Sequence, residues 1–377
     1  MTGPLHLAVA LDGAGWHPAA WREPDARPAE LFSAGYWADL VREAERGRLD
    51  FVTIEDGMSL QSGPRTDRVQ GRLDAVLIAA RVAPITTHIG LVPTATVTHT
   101  EPFHISKSIA TLDYVSGGRG GWRAQLSRPD EAAHFGRPHA ADRVAAFDEA
   151  ADFVEVVRRL WDSWEDDAEI RDAATGRFVD RDKLHYIDFR GRWFNVRGPS
   201  IVPRPPQGQP LVTALAHVMI AYRFAARAAD VVYVTPKDDA EAAGMVEDVG
   251  DLAAGRREPI HVFGDLVVFL DRSASAAAAR LARLDETAGK PYRSDALVFT
   301  GTPTELADLL LAWRSAGLSG FRLRPGAIPH DLEAITRGLV PELQQRGVFR
   351  NAYETQTLRA RLGLDRPASR YAAKTPG

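Results

Sequence analysis

Polar residues that could do chemistry stand at the ends of apolar, β-like runs of the sequence. Glu55 and Asp56 follow one such run, Thr94 lies near the end of the next, and His217 follows a later run. Carboxylates and an imidazole can transfer protons, and a threonine hydroxyl can hydrogen-bond to a reacting group. None of these side chains is a strong nucleophile. A lining of this kind is typical of a site in which an organic cofactor carries the difficult step.

Other types of active site find weaker support in the sequence. Metal-dependent barrel hydrolases often begin with His-x-His on the first strand, where this chain has His6-Leu7-Ala8. The Gly-x-Ser-x-Gly elbow of a serine hydrolase is absent. Residues 117–121 are rich in glycine, but no Lys-Ser/Thr follows to complete a phosphate loop. The sequence therefore predicts no metal site, and a turn at residues 117–121.

The composition excludes further classes of protein. The 377 residues include 46 Lys and Arg, 50 Asp and Glu, and no Cys, with a formal net charge of −4. Without cysteine there are no disulfides, cysteine–zinc sites or thiol nucleophiles. The near-neutral balance gives no electrostatic reason to expect a nucleic acid or an anionic membrane as partner. The first apolar run has no basic residue before it, and no run approaches the ~20 residues of a membrane span. We therefore expect a cytoplasmic protein.

Short β-like runs alternate with amphipathic stretches along most of the chain. The apolar run Leu5–Leu11, for example, precedes a helical pattern over residues 33–47. Thr302 followed by Glu305 is a capping-box signature at the start of a later helix. Eight or so strand–helix repeats over roughly 330 residues favour an α/β fold of the (β/α)8 TIM-barrel type over a doubly wound sheet. We expect residues 1–377 to form a single barrel domain.

Two segments interrupt this alternation. Residues 165–208 are rich in Asp, Arg, Gly and Pro, and an excursion of this length is usually a functional lid or a small sheet. Within it, residues 186–189 and 193–196 read as the two strands of a hairpin. Residues 347–377 are polar and are interpreted as a C-terminal arm that packs on the barrel or on a partner subunit.

Several motifs resemble the bacterial luciferase-like, flavin-dependent monooxygenases. They are Thr98-His-Thr-Glu-Pro-Phe-His104, Asp113-Tyr-Val-Ser-Gly-Gly-Arg119, Leu160-Trp-Asp-Ser-Trp-Glu-Asp-Asp167, His185-Tyr186 and Val196-Arg-Gly-Pro199. The closer resemblance is to the branch of nitrilotriacetate, dibenzothiophene-sulfone and pristinamycin-pathway monooxygenases, from about residue 5 to residue 345. It implies a (β/α)8 barrel that uses reduced FMN from a separate flavin reductase. Dioxygen would be the co-substrate, a flavin peroxide would oxygenate a small organic substrate, and the protein would be a homodimer.

The resemblance also implies roles for individual residues. Asp56 matches an acidic position near the flavin, and Thr94 matches a threonine near the isoalloxazine ring and oxygen, so these two are the implied catalytic residues. The usual Trp-Asn after strand four is Trp122-Arg123 here. The implied flavin-binding residues are Asp56, Thr94, Trp122, Arg123, Gln125, Tyr186 and His217. The implied substrate-pocket residues are Trp16, His17 and His185.

The phosphate-binding turn departs most from the family pattern. The family's Gly-Ser-Ser-x-x-Gly-Arg is Ala216-His-Val-Met-Ile-Ala-Tyr222 in this chain. Serine hydroxyls and an arginine fork, with glycine allowing close backbone approach, are what hold a phosphate dianion. The replacements leave helix N-terminal amides and His217. Three functions therefore stay open: an FMN-dependent monooxygenase, a deazaflavin-dependent oxidoreductase, and a non-catalytic paralogue that binds a flavin or metabolite or serves as a partner subunit.

Overall fold

The computed structural model describes residues 4–61, 65–136 and 142–372. The strands are β1 His6–Leu11, β2 Phe51–Ile54, β3 Gly90–Thr96, β4 Gly121–Gln125, β5 Glu169–Asp172, β6 Arg177–Val179, β7 Phe189–Arg190, β8 Asn195–Val196, β9 Leu211–Leu215, β10 Val231–Val234, β11 His261–Leu270, β12 Leu297–Gly301 and β13 Gly320–Pro325. The helices are α1 Ala34–Arg46, α2 Ala75–Val82, α3 Pro102–Val115, α4 Arg143–Asp162, α5 Met219–Ala228, α6 Asp239–Leu252, α7 Ala274–Ala288, α8 Pro303–Ser315, α9 His330–Ala334, α10 Val340–Gln345 and α11 Leu358–Arg361.

Parallel strands close into a barrel, as the alternation predicts. The strand order is β10-β9-β4-β3-β2-β1-β13-β11, and β10 also pairs with β11, which joins the two edges. The ninth strand of this sheet, β12, pairs with β11 only over Leu266–Leu270, where β10 no longer runs alongside. The result is an eight-stranded (β/α)8 barrel with one additional strand, and its strand ends position the site.

The barrel interior changes character along its length. Successive strand residues point to opposite faces, so every second residue faces inward. Near the amino ends of the strands the inward residues are apolar, including Phe51, Val92, Leu211 and Phe263. Toward the carboxyl ends they become polar and charged. The apolar layer excludes water, so the buried charged groups of the polar half need hydrogen-bond or ion-pair partners. These partners must be other side chains of the barrel or the polar groups of a bound ligand.

The C-terminal arm closes the amino-terminal end of the barrel. Leu358, Leu362 and Leu364 pack against the apolar interior cluster. Tyr353 donates from its hydroxyl to the backbone oxygen of Leu49 at 2.9 Å, which fixes the start of the arm to the segment before β2. The described part of the arm thus packs on the barrel, which is one of the two positions that the sequence left open.

The excursion between α4 and β9 contains two small hairpins. Strands β7 and β8 pair antiparallel, with Phe189 opposite Val196, which confirms the predicted hairpin in a shorter form. The pairing of β5 with β6 is an additional hairpin that the sequence pattern does not predict. Side chains cap two of the helices, and the capping box predicted at Thr302 is confirmed. The Ser33 side chain accepts from the Tyr36 amide, and Thr302 with Glu305 forms a capping box. Within the described residues, every helix is too short or too polar to cross a bilayer.

Candidate functional site

Charged side chains fill the barrel interior near the carboxyl ends of the strands. The inward positions there carry Glu55 directly after β2, Arg123 on β4, Asp265 on β11, and Arg322 and Arg324 on β13. Arg322 and Asp265 are each 0% exposed. A buried charge persists only when it is paired and hydrogen-bonded. The partners of these residues therefore decide what the strand ends can do.

Arg123 connects three neighbouring strands. Its Nε donates to Thr94 Oγ1 at 3.0 Å, and its Nη2 donates to Glu55 Oε2 at 2.5 Å and to Gln125 Oε1 at 2.7 Å. Gln125 in turn donates from Nε2 to the backbone oxygen of Asp56 at 3.1 Å. The structure thus brings together Asp56, Thr94, Arg123 and Gln125, all of which the resemblance places at the flavin.

Arg322 and Arg324 both bind Asp265. Arg322 donates from Nη2 to Asp265 Oδ2 at 2.7 Å, and its Nη1 lies 3.3 Å from Glu55 Oε1. Its guanidinium also lies 4.4 Å from the ring centroid of Tyr233, within cation–π range. Arg324 donates to Asp265 and, from Nη1, to Asp295 Oδ1 at 2.8 Å. We call the following six residues the charge cluster: Arg123, Arg322, Arg324, Glu55, Asp265 and Asp295.

The charge cluster is internally neutral, because three arginines face three carboxylates. Burial by itself would raise the pKa of Glu55, but Arg123 and Arg322 hold that pKa below its ordinary value. Burial likewise opposes ionisation of Asp265, and Arg322 with Arg324 keep its pKa low. Both carboxylates are therefore ionised at neutral pH and paired. They serve as structural counter-charges and are poorly suited to act as a general acid or base.

Asp56 has partners of its own at the start of α2. Its Oδ1 accepts from the Gly57 amide at 2.7 Å, and its Oδ2 accepts from the Ala75 amide at 2.9 Å. Burial raises the pKa of Asp56, and these two amides oppose the rise. The carboxylate thus fastens the segment after β2 to the first turn of α2.

The turn before α5 presents apolar side chains. Val218 and Met219 are 44% and 43% exposed, and the N-cap residue Val218 makes no side-chain hydrogen bond to the helix. His217 bonds through Nδ1 to Thr235 Oγ1 at 3.2 Å, and its Nε2 lies 3.2 Å from Asp295 Oδ2. Burial lowers the pKa of His217, although Asp295 opposes that shift. The imidazole is therefore neutral at pH 7 and adjoins the charge cluster at Asp295.

A cavity of about 580 Å³ opens beside β1. Its lining includes both aromatic and basic side chains: Trp16, Trp21, Tyr292, Arg68, Lys290 and Arg293. Trp16 stands between the cavity and the charge cluster, because the Arg324 guanidinium lies 4.6 Å from its ring centroid. Arg68 Nη2 is buried and has no hydrogen-bond partner among the described residues. An anionic group of a ligand would supply that partner.

His17 lines the same cavity, but both of its ring nitrogens are occupied. Its Nδ1 accepts from the Ala19 amide at 3.1 Å, so the proton is on Nε2, which donates to Asp285 Oδ1 at 3.1 Å. Burial lowers the pKa of His17, and the hydrogen bond to Asp285 opposes the shift. The ring is thus fixed and neutral, and it shapes the cavity wall.

Three other residues named from the resemblance contact different parts of the chain. Trp122 faces away from the barrel interior, is fully buried, and packs against Phe153 of α4. His185 stacks on Tyr371 of the C-terminal arm, with ring centroids 4.8 Å apart. Tyr186 is 43% exposed. These contacts do not join the three residues to the cluster around Thr94.

Sequence reasoning does not single out Asp265, Arg322 and Arg324 as site residues. The available signal is a charge inside a strand that is otherwise apolar, as in Val262-Phe-Gly-Asp-Leu266 and Phe321-Arg-Leu-Arg-Pro325. Such charges are rarely fully buried unless they are paired. Their pairing depends on β2, β4, β11 and β13 meeting in space, which the local pattern does not reveal.

The comparisons with known proteins agree with this architecture. Residues 15–296 match the family model for luciferase-like monooxygenases. The chain is 31% identical to N-acetyl-S-(2-succino)cysteine monooxygenase of Bacillus subtilis, with 98% of each chain covered. It is also 31% identical to nitrilotriacetate monooxygenase component A of Aminobacter aminovorans, again with 98% of each covered. The structure of EDTA monooxygenase from Chelativorans sp. superposes with a TM-score of 0.84 at 25% identity, covering 97% of this chain and 99% of that one.

These findings fix the class of the protein first. A closed eight-stranded parallel barrel, with a cavity at its strand ends, is the architecture of a TIM-barrel enzyme. The chain belongs to the luciferase-like monooxygenase family, and its enzyme class is monooxygenase. The resemblance seen in the sequence motifs is thereby confirmed, including the branch of nitrilotriacetate, dibenzothiophene-sulfone and pristinamycin-pathway enzymes.

Proposed function

We propose that this chain is one component of a two-component flavin-dependent monooxygenase in the cytoplasm. A separate flavin reductase would supply reduced FMN. The monooxygenase assembly that contains this chain would use the reduced FMN with dioxygen to oxygenate a small organic substrate. The observation that carries the proposal is the 31% identity to nitrilotriacetate monooxygenase component A over 98% of this chain. The name of that relative already describes one component of a larger system.

The alignments with two pristinamycin IIA synthase chains of Streptomyces pristinaespiralis support such a role. The names of these relatives describe two different subunits of one synthase. One alignment spans 443 residues, more than the 377 of this chain, so it includes gaps. The other spans 375 residues at 30% identity and covers 100% of both chains. This chain therefore has the length of that second relative, and we infer that it holds the corresponding place in its own system.

The cavity beside β1 is the part of this chain best suited to a substrate. Aromatic walls from Trp16 and Tyr292 would take an apolar body, and Arg68 would pair with an anionic group. A pocket of about 580 Å³ is within the usual size range for a small-molecule site. The work of this chain would be to bind and orient such a substrate away from water.

The residues at the strand ends do not fit FMN in the way that the resemblance implies. The guanidinium of Arg123 already donates hydrogen bonds to Thr94, Glu55 and Gln125. The turn before α5 offers exposed Val218 where a phosphate would need hydroxyl or guanidinium donors. A deazaflavin coenzyme would meet the same closed strand ends. We therefore derive no catalytic step through a flavin bound to this chain.

Self-association is part of the proposal. Phe32 and Leu77 are 57% and 69% exposed and, with Leu73, line an apolar groove of about 300 Å³ beside α1 and α2. Exposed apolar patches of this kind often mark interfaces between chains. We propose that a second copy of this chain covers the groove in a homodimer when no other partner is present.

Incorporation of labelled oxygen tests the proposed function. The tagged full-length chain is purified from its source cells with its stable partners and given flavin reductase, FMN, NADH and ¹⁸O₂. A small-molecule extract of the same cells serves as the substrate pool. We expect products that carry one ¹⁸O atom, and a clear loss of their yield in Arg68→Gln. The control Arg283→Gln, which removes an exposed arginine paired with Glu23, should leave the yield unchanged. No labelled product from the wild-type assembly would refute the proposal.

A further inference from the structure

We propose that this chain holds no flavin, because its charge cluster closes the strand ends and the turn before α5 lacks the serine hydroxyls and the arginine that would hold a phosphate. If the chain also serves a flavin-dependent monooxygenase, a second chain must then hold the flavin. That second statement rests on the proposed function, whereas the first depends only on the contacts of this chain.

The space in which the isoalloxazine ring would lie is filled by side chains that hydrogen-bond to one another. Thr94 is 0% exposed, and its hydroxyl accepts from Arg123. A planar ring placed against Thr94 would have to displace Arg123 from Glu55 and Gln125 as well. Such a displacement would leave Glu55 short of its counter-charge inside the barrel, which is unfavourable. Arg123 therefore occupies the space that the isoalloxazine ring would need and does not serve to bind that ring.

The other arginines reinforce this closure. Arg322 joins Glu55 to Asp265, and Arg324 joins Asp265 to Asp295. Each cation is already matched by carboxylates, so the strand ends carry no surplus positive charge that would attract an anionic cofactor. The Arg324 guanidinium over the Trp16 ring closes the side toward the cavity.

The residues that would bind the FMN phosphate are replaced as well, in a different segment of the chain. The first turn of α5 carries Met219, Ile220, Ala221 and Tyr222, and its N-cap is Val218. A phosphate dianion would meet helix amides, but also two half-exposed apolar side chains in place of hydroxyl donors. The next arginine along the helix, Arg223, is turned by about 100° from position 222. The residues expected to contact the isoalloxazine ring and those expected to contact the phosphate are therefore both replaced. The two sets of residues lie far apart in the sequence, and replacement of both is expected when the ability to bind one shared ligand has been lost.

Direct flavin titration of the purified full-length chain tests this proposal. Oxidised FMN is followed by quenching of its fluorescence, and reduced FMN is followed by anaerobic equilibrium dialysis. We expect binding weaker than a Kd of about 0.1 mM for both forms. Saturable binding tighter than that, of either form, would overturn the proposal whatever the outcome of the oxygenation assay.

Two grafted variants separate the turn from the charge cluster. The first carries Ala216→Gly, His217→Ser, Val218→Ser, Ala221→Gly and Tyr222→Arg, and the second adds Arg123→Asn. We expect the second to bind FMN at least about tenfold more tightly than the first, because only the second opens the ring position. The first graft with Arg337→Asn, a half-exposed arginine between α9 and α10, is the matched control and should equal the first graft. If the first graft already binds as tightly as the second, Arg123 does not close the site. Circular dichroism checks that each variant is folded, and the wild-type titration is decisive without them.

Discussion

Removing the central carboxylate of the charge cluster should destabilise the fold strongly. Asp265 is 0% exposed and accepts hydrogen bonds from Arg322 Nε at 3.2 Å, from Arg322 Nη2 at 2.7 Å and from Arg324. In Asp265→Asn the shape is kept, but two buried guanidinium groups lose their shared counter-charge. Breaking a buried pair by removing one partner costs about 3–5 kcal/mol. That is a large part of the roughly 5–15 kcal/mol that stabilises a folded protein.

The matched control is an Asp–Arg pair of similar geometry on the surface. Asp308 lies 2.6 Å from Arg346 Nη1, and its side chain is 66% exposed. Because solvent screens this pair, Asp308→Asn should cost less than about 1 kcal/mol. The two variants therefore differ chiefly in burial, and the difference in their unfolding free energies isolates that effect.

Urea unfolding followed by tryptophan fluorescence measures both variants. The midpoint of Asp265→Asn should shift to lower urea with little change in slope, and the size of the shift should persist at high salt, because a buried pair is weakly screened. An Asp265→Asn variant within about 1 kcal/mol of the wild type, or one equal to Asp308→Asn, would show that the cluster is not the buried, mutually dependent network described above.

Three further predictions concern other parts of the molecule. Burial raises the pKa of Asp113 to about 6 although Gln207 and Gly120 donate to it, so the native state retains its proton longer than the unfolded chain. The unfolding free energy of the wild type relative to Asp113→Asn should fall by about 3 kcal/mol as the pH rises from about 3 to 7, and a constant difference would refute this. Leu77→Glu should convert the sedimenting dimer to a monomer, and an unchanged sedimentation coefficient would rule out the α2 groove as the interface. Thr302→Ala removes one half of a capping box and should cost about 1 kcal/mol in urea unfolding; no measurable loss would contradict the cap.

The sequence alone determined the architecture, because that information is local. The 3.6- and two-residue periods, the caps at Ser33 and Thr302, and the repeated strand–helix order each depend on residues close together in the chain. The motifs between Thr98 and Pro199 likewise identified the family without any three-dimensional information. The position of the C-terminal arm was predicted only in outline, since nothing local says which end of the barrel its leucines enter.

Only the tertiary structure decided whether the carboxyl ends of the strands form an open site or a closed one. In the sequence, Arg123 is one of the departures from the family pattern, as open to binding a flavin as to forming an ion pair. Folding brings it to Glu55, 68 residues away in the chain, and brings Arg322 to Asp265, 57 residues away. Buried charges are stable only as satisfied groups, so the pairing of all strands at once determines whether this layer is an open site or a closed one. That pairing is a property of the closed barrel, and no single strand of the sequence contains it.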